Sequence, residues 1–155
     1  MPLYALIDCA QDDRLYPLLE QEAEAMCLFG GPPDPVLWPV APHLVRLEEG
    51  AALQALMRGE GWHANWGLVC WADCDLKTLR RKLRPMMQAM LPDGRVVLFR
   101  FYDPRVWCPY LPTCTGADLA CWFDGVSYWW APDPETGNTL RFSCPGGALQ
   151  VDAVA

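Results

Sequence analysis

The chain has 155 residues, 12 basic against 19 acidic for a formal net charge of -7, with 52% apolar letters, 15 prolines and 12 glycines. A single domain of that length buries roughly two-thirds of the surface its unfolded form exposes, so its core needs neither metal nor disulfide. The acidic balance argues against nucleic acid and anionic membrane as partners, because Lys and Arg are what grip both.

In chain order, Leu3 to Asp8 reads as a short buried strand, after which Asp12 or Asp13 can cap a helix carrying Leu15, Leu18 and Leu19. Met26 to Phe29 is a second strand, and Gly30 to Pro35, with three prolines and two glycines, is a turn. Val40 to Leu47 is extended, interrupted at Pro42. Ala51 to Arg58 is helical, ended by Gly59 and Gly61, and Trp66 to Trp71 is extended again.

The clearest helix starts at Asp75. Leu76, Leu79, Leu83, Met87 and Met90 recur every three or four residues, leaving Lys77, Arg81, Lys82 and Arg84 on the outer face, while Pro85 kinks or ends its first half. Pro92-Asp93-Gly94 turns the chain into Val96 to Tyr102, the most strand-like run of all. Asp103-Pro104 starts another helix, and Thr115 to Phe123 a further one, with Thr115 and Asp118 in a capping-box arrangement. Ser127 to Ala131 and Thr139 to Ser143 pair as a hairpin, with Ala148 to Val151 as an edge. Alternating strands and helices predict a single-domain α/β fold, a mixed sheet flanked by helices, with a short C-terminal β-hairpin.

Charge is segregated. Residues 1–60 carry ten acids and three bases, residues 61–105 four acids and eight bases, and residues 106–155 five acids and one base. No apolar run approaches the about 20 residues of a membrane helix, and Met1 to Asp8 lacks the basic start and cleavable apolar segment of an export signal, so the expected location is the cytoplasm. There, the cysteines at 9, 27, 70, 74, 108, 114, 121 and 144 stay reduced. No Cys-x-x-Cys pair occurs and only His43 and His63 could join them, so they read as buried apolar filler rather than metal ligands.

No phosphate loop, dinucleotide glycine fingerprint, nucleophile elbow or zincin motif is present, so neither catalytic residue nor cofactor is assigned. Asp8 and Asp103 end apolar strands and precede helices, as capping carboxylates do. Arg100, placed by alternation on the face of Leu98 and Tyr102, needs a partner if helices cover that face, and Asp8 and Asp103 suit it. With Arg105 they form an expected structural polar cluster. The enzymatic alternative is a small hydrolase using Asp8, Asp103 and His63. For partner binding, the basic helix face offers Arg80, Arg81 and Arg84, and the surplus of tryptophan offers Trp107, Trp129 and Trp130 as anchors.

Tyr4-Ala5-Leu6-Ile7-Asp8, Leu15-Tyr16-Pro17-Leu18, Ala41-Pro42-His43-Leu44-Val45, Trp66-Gly67-Leu68, Asp75-Leu76 with Leu79-Arg80 and Leu83-Arg84, and above all Phe99-Arg100-Phe101-Tyr102-Asp103-Pro104-Arg105-Val106 resemble one family. It is that of the type VI secretion effector adaptors, small bacterial chaperones catalogued as a domain of unknown function. The resemblance spans about residues 3 to 125 in order. It implies a non-enzymatic adaptor domain at 1–125, with 126–155 a hairpin and tail packed on it. Such adaptors bind a secreted effector in the cytoplasm and promote its loading onto the valine-glycine-repeat spike protein (VgrG). Cys9 stands where members often have glycine and Gly30 where an acid is frequent, and only about 30 residues follow where many relatives carry a longer extension.

Overall fold

The computed structural model describes residues 1–22 and 24–155. Its regular elements are β1 (Leu3–Asp8), α1 (Leu15–Leu19), β2 (Ala25–Cys27), β3 (Pro42–Arg46), α2 (Ala52–Leu56), β4 (Gly67–Ala72), α3 (Leu76–Leu83), β5 (Gln88–Met90), β6 (Val96–Leu98), α4 (Pro104–Tyr110), α5 (Gly116–Trp122), β7 (Val126–Pro132), β8 (Thr139–Ser143) and β9 (Gln150–Val154). Seven strands form one sheet in the order β2-β3-β1-β4-β7-β8-β9, and β5 and β6 form a separate hairpin.

The α/β single-domain class stands, but the strand directions differ from the mixed sheet expected: every described pairing is antiparallel. The reason lies in the order. The crossovers through α1 and α2 join strands of like direction, β1 to β2 and β3 to β4, yet each skips one place, and a strand of opposite sense fills it. This is the connectivity of interlocked split βαβ units, the ferredoxin-like arrangement. The C-terminal strands continue the sheet, with β7 registered on β4 from Val69↔Trp130 to Ala72↔Val126.

β1 is buried on both faces, which is why it reads as an unbroken apolar run. Its Tyr4 and Leu6 join a core with α3, α4 and α5, while Ala5 and Ile7 join a second core with α1 and α2. Gly67 sits opposite Ile7, where a Cβ would run into the Leu6 carbonyl, so only glycine lets β4 approach.

The larger core absorbs the tryptophans. Trp107 lies 4.9 Å from Trp129 and 5.1 Å from Trp122 between ring centroids, Phe101 lies 4.8 Å from Trp122, and the Trp129 indole N–H donates to the Trp122 carbonyl at 2.8 Å. Trp107 and Trp129 are fully buried, which corrects their assignment as surface anchors. The same cluster explains why the apolar run at 96–102 is not one strand. β6 stops at Leu98, and Phe101 and Tyr102 are buried consecutively, which a strand facing one layer cannot do. The chain instead closes a turn, with Asp103 N–H donating to Arg100 O at 3.1 Å.

α3 forms as its spacing predicts, capped by Asp75 accepting from Thr78 N–H at 2.8 Å, with Leu76, Leu79 and Leu83 buried. Pro85 ends it in a 3-10 turn through Met87, so Met90 falls in β5, exposed, rather than on the helical stripe. The capping box at Thr115 does not form: its side chain makes no cap bond, and Gly116 follows in left-handed backbone.

Candidate functional site

The polar cluster sits where β1 ends and the 99–103 turn meets α4. Asp8 caps the turn after β1 by accepting from Ala10 N–H (3.1 Å) and the Gln11 side-chain amide (3.0 Å). It also takes the Arg100 Nη2 at 2.6 Å. Asp103 caps α4 through Arg105 N–H and receives the Arg105 guanidinium on both oxygens, at 3.0 and 2.8 Å, with Arg100 3.8 Å away. Both carboxylates are buried, whereas the arginines reach solvent. Arg100 therefore differs from its expected place: it lies in a turn, its side chain 44% exposed, rather than on a covered strand face. Partial burial is the largest single influence and disfavours its charge, but Asp8 and Tyr102 together outweigh it and raise the guanidinium's pKa.

His63 is exposed and makes no described hydrogen bond to Asp8 or Asp103. The structure thus brings together Asp8, Arg100, Asp103 and Arg105, and leaves His63 out. The cysteines are all unpaired, and burial pushes the Cys9 and Cys108 thiols up to about 12. Among the described residues no group of three or more His, Cys, Asp or Glu is placed to hold a metal ion.

A different feature dominates the surface. A groove of about 1030 Å³ runs between α3 and the β5–β6 hairpin, walled by Lys77, Arg81 and Arg84 on one side and by Val96, Val97 and Leu98 on the other, over Leu28 and Phe29. Among the described residues no carboxylate lies within salt-bridge reach of those three cations, although the chain carries 19 acids. Gly30 is part of the cause, for it lies against the Arg84 guanidinium and offers no side chain to answer it. Arg80 lines the groove but is committed, its Nε donating to Cys27 O at 2.6 Å and its Nη2 to Phe29 O at 3.2 Å. Burial lowers its pKa. The opposite wall is apolar and wet: Val96 is 59% and Leu98 51% exposed. Unpaired cations thus face uncovered aliphatics across the groove.

Residues 3–121, about three quarters of the chain, match the family described as Domain of unknown function (DUF4123). The chain belongs to the DUF4123 family. No curated protein and no solved structure matches it. The DUF4123 span runs from β1 into α5 and includes the polar cluster and the whole groove, while β7, β8 and β9 lie beyond it.

Of the partner-binding residues named from sequence, the DUF4123 domain offers Arg81 and Arg84 freely. Arg80 is tied to backbone, and Trp107 and Trp129 are interior. Trp130 points to the opposite face from Trp129 and lies half-buried beside Trp71, 4.8 Å between centroids, in an apolar groove of about 260 Å³ that also includes Trp62 and Met57. Sequence reasoning missed Lys77 as a groove residue, and missed Val96, Val97 and Leu98 because an apolar run normally signals interior. The available signal was the Pro92-Asp93-Gly94 turn: a hairpin this short has only one partner strand and buries little.

Proposed function

We propose that this DUF4123 domain is a non-enzymatic adaptor that holds a secreted type VI effector in the cytoplasm of the producing cell and promotes its loading onto the VgrG spike. The family's association with type VI secretion effectors supports the partner class. The observation that carries the reading is the groove, where Lys77, Arg81 and Arg84 stand unpaired opposite Val96 and Leu98. Such a surface speeds encounter with an acidic partner through its charge and holds it by covering aliphatic area. Asp8 and Asp103 serve the scaffold, fixing the 99–105 segment that leads out of the hairpin into α4.

The test is affinity capture of the tagged chain from its own bacterium, with the captured proteins identified by peptide sequencing and effector secretion measured in a deletion strain. The expected result is co-purification of a toxin-bearing effector and VgrG, lost in an R81E/R84E variant that melts like wild type, together with loss of that effector's secretion on deletion. Normal secretion in the deletion strain, or full capture by the charge-reversed variant, overturns the proposal.

A further inference from the structure

The β5–β6 hairpin has an open edge. Phe99 N–H donates to Met87 O at 2.6 Å and Leu91 N–H to Arg95 O at 2.8 Å, with Ala89 paired to Val97 between them. In an antiparallel ladder inward-bonded residues alternate with outward ones, so Val96 and Leu98, opposite Met90 and Gln88, turn their backbone N–H and C=O away from β5. Both residues are exposed, and both border the groove whose far wall is the cationic face of α3.

We propose that the groove takes an extended, acidic segment of the partner, which adds to β6 as a third strand. This rests on the adaptor reading and names the form its partner presents. A bound helix spends its backbone groups internally and would leave Val96 and Leu98 unmet, whereas a strand supplies the missing donors and acceptors. Successive side chains of a strand point to opposite sides. Acids at every second position therefore meet Lys77, Arg81 and Arg84, and the aliphatic residues between them extend the apolar surface of β6 on the other side of the strand. A two-stranded ribbon is marginal alone and gains from a third strand.

The experiment uses the whole chain and fluorescein-labelled synthetic peptides, read by anisotropy. The probes are a peptide alternating glutamate and valine, the same peptide N-methylated at alternate residues on its bonding edge, a lysine-valine counterpart, and a helix-forming peptide with glutamate and leucine spaced four apart. The protein variants are Val96→Pro, which removes an outward N–H without touching the ladder to β5, and R81E/R84E, each checked by circular dichroism. The glutamate-valine peptide is expected to bind, and N-methylation or V96P to weaken it about tenfold through lost backbone bonds. The lysine peptide and the charge-reversed protein are expected to show no binding. Equal binding of the methylated and unmethylated peptides, unchanged binding by V96P, or preference for the helical peptide overturns strand addition. If V96P also retains the effector in cells while R81E/R84E loses it, the adaptor role stands and only the strand fails.

Discussion

Replacing Arg100 by alanine strips Asp8 of the one guanidinium that is ion-paired with it among the described residues. Asp8 keeps Ala10 N–H and the Gln11 amide, but its side chain is 3% exposed, and a buried carboxylate deprived of its counter-ion costs about 3–5 kcal/mol where water cannot reach it. Here water can reach it in part, since the departing guanidinium is 44% exposed and vacates a solvated path. The cost is therefore discounted to about 2 kcal/mol. For a chain of this length that lowers Tm by about 4–8 °C. Circular dichroism melts of wild type, R100A and R81A make the measurement. R81A removes an unpaired surface cation and is expected to stay within about 0.5 kcal/mol. An R100A melt indistinguishable from that of R81A refutes the claim that the Arg100–Asp8 bond ties the 99–103 turn to β1.

Trp129→Ala empties the centre of the aromatic cluster and is expected to cost about 3–5 kcal/mol by urea unfolding, with Trp130→Ala, half-buried on the other face, costing clearly less; equal costs contradict the assignment of faces. Gly67→Ala drives a methyl into the Leu6 carbonyl across a paired register and is expected to cost about 1–3 kcal/mol or to leave the protein insoluble, so a neutral effect shows that β1 and β4 can move apart. Burial holds the His43 imidazole below its ordinary 6.5, only partly opposed by its bond to Ala41 O. With the folded value below the unfolded one, the unfolded chain takes up the proton first: this contribution is intact above about pH 6.5 and is lost as pH falls below it. Urea midpoints followed from pH 7 to 5 are expected to fall more steeply in wild type than in His43→Asn, and parallel slopes reject the assignment.

Much of the architecture was legible because both-face burial and periodicity leave marks in sequence. The apolar run of β1, the three-and-four spacing of Leu76, Leu79 and Leu83, and the Asp103-Pro104 helix start all emerge in place. Strand direction was not legible, since a crossover that skips one place reads the same in sequence as one joining neighbours. The segment at 96–102 misled because hydrophobicity is silent on destination: Val96 and Leu98 face water, Phe101 and Tyr102 the core, and the break between them is set by Trp107 and Trp122 packing from later in the chain. Of the site, Arg81 and Arg84 were readable as the polar face of an amphipathic helix. That neither is ion-paired among the described residues is a three-dimensional fact, depending for Arg84 on Gly30 arriving beside it from 54 residues earlier.

The two hydrogen bonds from Arg80 to Cys27 O and Phe29 O have a colloidal meaning. β2 is the first strand of the main sheet, and its pairing with β3 sends the Cys27 carbonyl outward, where a neighbouring molecule could dock against it. The guanidinium stoppers that border with a bulky charge and so opposes pairing of copies through β2. Swapping Arg80 for alanine should thus show first in light scattering at high concentration, before any change in melting.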